Sequence, residues 1–361
     1  MIFSPPRCTA GDLSGFRETA APMKILILKP SSLGDVIQAL PVLRLLRRAY
    51  PKAQIHWWID SRLAPLLAGD PDLDRVIPWE RRGWDSIRRW RLLWTEVRWL
   101  RDQQFDLVID LQGLVRSGTF AWLARGKLLV GLDEAREGAR GYYDIIVPRT
   151  SYHTHAVDWY LSVLPRIGIP VHSDYTWLPE RPAVAAAIRA RWPDSERRWL
   201  VLQPGARWLN KRWPVESFAE LMRQVAPRLP EIQFAILGGG EDRALGEQLA
   251  AALPERSLNL CGELSLLEMV EWIRRSELMV TNDTGPMHVA AALGQPVVAM
   301  LGPTEPSRTG PYGQVAHVLH RRLPCSPCFK ATCANPDQMA CLRQIPPAAV
   351  AAEVIRRWPA R

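Results

Sequence analysis

Residues 277–293 read Glu-Leu-Met-Val-Thr-Asn-Asp-Thr-Gly-Pro-Met-His-Val-Ala-Ala-Ala-Leu. An apolar run ends at Val280, Asp283 and Thr284 are helix-starting residues, and apolar character resumes at Val289. The order is that of a buried strand, a turn and a helix. A helix beginning there turns its unbonded backbone N–H groups and the positive end of its dipole toward one spot. That spot suits an anion, and a nucleotide diphosphate is the usual guest.

Outward from this stretch, short apolar runs alternate with longer helical patterns. Strands are expected over 199–203, 232–237, 257–260, 277–281 and 297–301, with helices over 215–228, 243–252 and 266–275 and after His288. Toward the N-terminus, strands are expected over 24–28, 54–59, 75–78 and 106–110, with helices over 34–49, 61–68 and 85–101. Such alternation implies parallel sheets covered on both faces. Pro179, Pro182 and Pro193 crowd the region between the two series. The expected organisation is a loose extension over 1–22, a first domain over 23–175, a linker over 176–196 and a second domain over 197–361. The fold class is α/β, two doubly wound Rossmann-like halves. Ligands dock at the carboxyl ends of such strands, so the cleft between the halves is the expected site.

Bulk properties narrow the classes. A chain of 361 residues is long for one core, so two domains are the default. No apolar run reaches the roughly 18 residues of a membrane span, and the run near 289–301 is broken by Gly294 and Pro296. Residues 1–22, with Pro5, Pro6, Gly11, Gly15 and Pro22, do not resemble a signal peptide, so a cytosolic location is expected. The net charge of +9 favours anionic partners. No nucleic-acid module accompanies it, and nucleic-acid binding is not expected. The 16 tryptophans suit either a core or a membrane–water interface.

Three loops at strand ends could carry chemistry. In Lys29-Pro-Ser-Ser-Leu-Gly-Asp35, Gly34 permits a tight strand-to-helix turn, and Asp35 is either a first-turn carboxylate or a general base. In Gln203-Pro-Gly-Ala-Arg-Trp-Leu-Asn-Lys-Arg-Trp-Pro214, Gly205 lets a ligand approach the backbone. Lys211 and Arg212 there either neutralise a phosphate or form a solvated basic turn. The third loop holds Asp283, with His288 following as a ligand contact or a packing histidine. Leu237-Gly-Gly-Gly-Glu-Asp242 departs from the dinucleotide fingerprint.

Taken together, these segments resemble glycosyltransferase family 9, the heptosyltransferases of lipopolysaccharide inner-core assembly. The resemblance rests on Lys29–Asp35, on Asp106-Leu-Val-Ile-Asp-Leu-Gln-Gly-Leu-Val-Arg-Ser117, on Lys211-Arg-Trp-Pro214 and on Thr281–His288, and runs from Met23 to the C-terminus. It implies a GT-B architecture, ADP-L-glycero-β-D-manno-heptose as donor and an anionic inner-core lipid saccharide as acceptor. It implies Asp35 as base, Lys211 on the donor phosphate, Asp283 on the donor sugar, and Thr284 and Gly285 on phosphate. Arg116 and Arg136 are candidates for the acceptor side. No metal or other cofactor is required, because Lys211 and the helix start could hold the departing diphosphate.

Arg81, Arg82, Arg88 and Arg89 lie among Trp79, Trp84 and Trp90. Arginine forks match carboxylate and phosphate, so this segment is expected to meet the acceptor or the cytoplasmic face of the inner membrane. The alternative is an ordinary helix face with its tryptophans packed inward. Cys325, Cys328, Cys333 and Cys341 show C-x2-C-x4-C-x7-C spacing, which leaves structural zinc, free thiols and disulfides open. Two other functions also stay open: a GT-B enzyme using another nucleotide sugar, and a non-catalytic glycolipid-binding protein. The segments 110–116 and 135–137 lean toward transfer of the first heptose, the cysteine-rich tail toward the second.

Overall fold

In the computed structural model, which describes residues 22–80, 87–134 and 137–360, the apolar runs become strands of two parallel sheets. The first holds β1 (Lys24–Leu28), β2 (Gln54–Asp60), β3 (Arg75–Trp79), β4 (Leu107–Asp110), β5 (Leu128–Leu132) and β6 (Ile145–Val147) in the order β3-β2-β1-β4-β5-β6. The second holds β7 (Trp199–Gln203), β8 (Gln233–Ile236), β9 (Ser257–Asn259), β10 (Leu278–Asn282), β11 (Val297–Leu301) and β12 (Val318–His320) in the order β12-β11-β10-β7-β8-β9. Counted from its own first strand, the second sheet repeats the first. Three strands build outward, and the chain then returns to the other side of the starting strand. Each sheet therefore has a switch point where strand order reverses, between β1 and β4 in one and between β7 and β10 in the other.

The chain divides into the units Met1–Pro179 and Glu180–Arg361. Helices cover both faces of each sheet, which is why β1 and β10 are apolar on both sides. In the first unit Trp58, Trp79, Phe105 and Phe120 pack on Leu26, Leu28 and Val108. In the second, Trp213, Phe218, Leu221 and Met222 pack on Phe234, Ile236, Val280 and Met300, and Val350 and Val354 of the C-terminal helix Pro347–Arg357 close the cluster.

The structure answers the question of the tryptophans. Trp57, Trp58, Trp79, Trp159, Trp199, Trp213, Trp272 and Trp358 are buried, whereas Trp94 and Trp122 are 67% and 56% exposed. Most of the described tryptophans are thus core residues, and only two are candidates for an interface.

Three differences from the expected elements have local causes. Helix Pro182–Arg191 forms inside the stretch expected to be a linker. Pro182 is at its start, where a missing N–H costs nothing, and Ala183, Ala185, Ala186 and Ala187 favour helix. β6 and β12 hold three residues each and so escape a periodicity reading, whereas β5 is a buried apolar run as long as β1 that is not among the expected strands. The helix expected over 61–68 shrinks to Ala64–Leu67, preceded by a turn.

Candidate functional site

Functional side chains gather at the two switch points. In the first unit, the chain leaving β1 turns into helix Leu33–Ala49. One oxygen of the Asp35 carboxylate, Oδ2, accepts from the Ser32 backbone N–H at 2.8 Å and from its hydroxyl at 2.6 Å. The other, Oδ1, accepts from the Tyr160 hydroxyl at 3.2 Å. Asp35 is therefore a first-turn carboxylate, as one reading held, yet it is also half-exposed at the carboxyl end of a central strand. The capping box fixes the side chain without burying it.

Lys29, only 2% exposed, sits beneath this turn. Its ammonium donates to the Leu111 carbonyl at 2.9 Å and lies 4.5 Å from the centre of the Tyr160 ring. Burial lowers its pKa, against the opposing pull of Asp35, Asp110 and Glu134. On the neighbouring strand end, Asp110 is fully buried. It accepts from the backbone N–H groups of Gln112 at 2.8 Å and Gly113 at 3.2 Å, and from the Tyr143 hydroxyl at 2.7 Å. Burial raises its pKa, partly offset by hydrogen bonds that include Tyr143, Gln112 and Gly113. Asp110 pins the turn after β4 rather than facing a ligand. Gly131 is the matching constraint, since a Cβ there would fall 2.4 Å from the Tyr143 ring.

The second unit repeats the arrangement with opposite charge. After β7, Lys211 reaches Asp283, which follows β10, at 2.6 Å. The same Asp283 oxygen accepts from the Thr304 hydroxyl at 2.6 Å, and the Lys211 ammonium lies 4.8 Å from the Trp208 ring centre. Asn282 ties the two loops together, accepting from the Trp213 N–H at 2.9 Å and donating to the Pro204 carbonyl at 2.7 Å. Thr284 is the N-cap of helix Gly285–Ala292. Pro286 carries no N–H, and the Met287 N–H returns to the Thr284 carbonyl at 3.1 Å. The donors an anion could use thus narrow to Thr284 and Gly285. Gly205 stands against Asp242, whose carboxylate pairs with Arg212 at 3.2 Å. His288 is buried within the first turn of the same helix.

The structure therefore brings Lys211 and Asp283 into one network, with Thr284 and Gly285 adjoining Asp283 in the chain, and it places Asp35 at the equivalent strand end of the other unit. Arg116 is exposed on helix Val115–Leu123, about 6.0 Å from the Trp79 ring centre. Arg81, Arg82 and Arg136, and the side chains of Arg88 and Arg89, lie outside the described residues. Cys325, Cys328, Cys333 and Cys341 are free thiols lining one pocket. Among the described residues no three metal-binding side chains converge as a metal site would need.

Sequence reasoning missed Tyr160, Thr304 and Asn282. Thr304 follows β11, so the strand-end rule could have found it. Tyr160 lies in the short helix Ala156–Leu161, remote in sequence from Asp35, and no local pattern points to it.

A family model described as glycosyltransferase family 9 (heptosyltransferase) matches residues 93–338. Lipopolysaccharide heptosyltransferase 1 of Pseudomonas aeruginosa is 36% identical over 329 residues, spanning 86% of this chain and 87% of that protein. The solved Escherichia coli ADP-heptose lipopolysaccharide heptosyltransferase II is 26% identical, with a TM-score of 0.73 over 93% of this chain and 98% of that one. The E. coli heptosyltransferase WaaC, solved with ADP, is also 26% identical, with a TM-score of 0.70 over 93% and 100%.

Proposed function

The chain belongs to glycosyltransferase family 9, the heptosyltransferases, and from that premise we propose that it moves L-glycero-D-manno-heptose, with inversion, from ADP-heptose to the inner core of lipopolysaccharide. The observation that carries this reading is the Lys211–Asp283–Thr304 network beside the helix start at Thr284. It joins the two segments whose residues resemble the family's donor site. Two relatives, an ADP-heptose heptosyltransferase and a heptosyltransferase solved with ADP, support the same donor.

The chemistry then divides between the units. Asp35 takes the proton of the acceptor hydroxyl as its oxygen bonds to the anomeric carbon of the heptose. The bond from that carbon to the diphosphate oxygen breaks, and ADP departs with the negative charge. Lys211 and the N–H groups of Thr284 and Gly285 stabilise that charge as it develops. Asp283, held by Lys211 and Thr304, is placed to meet the sugar hydroxyls. No metal is needed for the charge balance, so transfer should persist in a chelator.

The acceptor is anionic and lipid-anchored, and we assign the first unit to meet it at the cytoplasmic face of the inner membrane. Among the described residues no helix is long and apolar enough to cross a membrane. Helices Ile87–Asp102 and Val115–Leu123 pack together; the first exposes Trp94 one turn from Arg98, and the second exposes Trp122 and Arg116. Exposed aromatic rings and arginines on adjoining helices suit a headgroup layer.

The test is transfer itself. Purified protein is given ADP-heptose with Kdo-lipid A or with its heptosylated form, and extension is read by mass. One acceptor should be extended, and which one decides between the first and second transfer. Use of a UDP-sugar instead, or ADP binding with extension of neither acceptor, would overturn the proposal.

A further inference from the structure

We propose that Tyr160 is a positioning residue for the reaction base, holding the Asp35 carboxylate ionised and in one orientation. This rests on the reading of Asp35 as the base and deepens it. The phenol oxygen lies 3.2 Å from Asp35 Oδ1, the oxygen opposite the one that Ser32 engages. With both ends of the carboxylate held by donors, its rotation is restricted and its charged form favoured.

The setting fits a positioning role. Tyr160 is buried on helix Ala156–Leu161, which packs on the helix that carries Asp35. Its ring lies against the buried Lys29 ammonium, itself fixed by the Leu111 carbonyl. The ring therefore cannot swing away without uncovering a buried cation. Burial, then the Asp35 charge, pushes the phenol pKa well above its ordinary value, so Tyr160 stays a donor throughout the working range. The charged groups acting on Tyr160 are Asp35, Arg149 and Glu134, and those acting on Lys29 are Asp35, Asp110 and Glu134. The Tyr160 hydroxyl joins helix Ala156–Leu161 to the base by a hydrogen bond.

Tyr160→Phe keeps the ring over Lys29 and removes only the donor. A hydrogen bond to a charged group of this kind corresponds to about one pH unit in a titrating limb and about tenfold in rate. The acidic limb of the kcat profile should move up by about one unit, because the base loses a group that favours its ionised form. Turnover at neutral pH should fall about tenfold with the donor KM unchanged. A residue that merely ties the two helices would lower the melting temperature and leave the limb in place, and that result overturns the proposal. Asp35→Ala run alongside separates the two claims. If that variant keeps full turnover, the base assignment fails. If it is inactive while Tyr160→Phe keeps the wild-type limb and rate, the base stands and the positioning role is wrong. Circular dichroism at the assay temperature is the folding control for both, since ADP binding would report the second unit alone.

Discussion

At the scale of single residues, the chain uses carboxylates in opposite ways according to burial. Asp35 is half-exposed and held by donors on both oxygens, which suits the proposed role of proton acceptor. One positioned base typically contributes about 10²–10⁴-fold, so Asp35→Ala should lose turnover on that order while ADP binding, followed by calorimetry, stays near wild type. Unchanged turnover would remove the base from the mechanism. Asp110 is the contrasting case, fully buried, with its pKa raised by desolvation. A raised carboxyl binds its proton more tightly in the folded chain than in the unfolded one. Its contribution is therefore most favourable at low pH and is lost as pH rises from the ordinary aspartate range through the folded value. Asp110→Asn has no such titration, and its amide can still accept from Gln112 and Gly113 while the Tyr143 hydroxyl turns to accept. The stability of this variant relative to wild type should rise with pH across the weakly acidic range, as followed by chemical denaturation. A constant difference at every pH would show that Asp110 does not titrate differently on folding.

Between residues and units lies the strand-end loop, and the proposed donor site is built from three of them. The loop after β7 supplies Lys211, the turn after β10 supplies Asp283, and the loop after β11 supplies Thr304. Each is braced by a neighbour. Asn282 links the first two, and the cysteine-rich segment holds the third, because Cys328 and Phe329 donate to the Pro303 carbonyl at 3.0 and 2.8 Å. Asn210, beside Lys211, donates to the Lys330 carbonyl of the same segment at 2.8 Å. The tail thus braces the loops of the proposed donor site. Gly205 is the point where the first loop tolerates least, since a Cβ would fall 2.1 Å from Asp242 Oδ2. That carboxylate is buried and paired with Arg212, so it is not free to step aside. Gly205→Ala should cost about 1–3 kcal/mol of stability, the usual range for overpacking, and weaken ADP binding. A melting curve and an ADP titration check both. A variant that binds ADP normally would mean that the loop absorbs the methyl group without moving Arg212.

For the whole molecule, charge and exposed aromatics are the features on which the proposed membrane contact rests. The sequence carries a net +9, and the two exposed tryptophans of the described residues, Trp94 and Trp122, lie on adjoining helices of the first unit. Binding to vesicles containing anionic lipid should weaken as salt rises, because exposed charges are screened over about 8 Å at physiological ionic strength. Replacing Trp94 and Trp122 by Ala should reduce vesicle binding severalfold with the salt slope retained, since the tryptophans supply apolar contact and the arginines the charge. Co-sedimentation measures both. Equal binding by the double variant would place the membrane contact elsewhere on the chain.

The sequence by itself determined the class of fold and pointed to the loops in which the proposed chemistry lies. Strand–helix alternation implies doubly wound sheets, and glycine or a helix-starting residue after a buried strand marks where ligands dock. Lys29–Asp35, 203–214 and 281–288 were legible for that reason, being contiguous stretches whose backbone demands are local. What only the tertiary structure decided is partnership at a distance. Tyr160 meets Asp35 across 125 positions and Lys211 meets Asp283 across 72. The same packing sends most tryptophans inward and leaves Trp94 and Trp122 outside. Periodicity reports which face of an element is apolar, but not which side chain of another element will lie opposite. That is set by the register of parallel strands and the packing of the helices that cross between them.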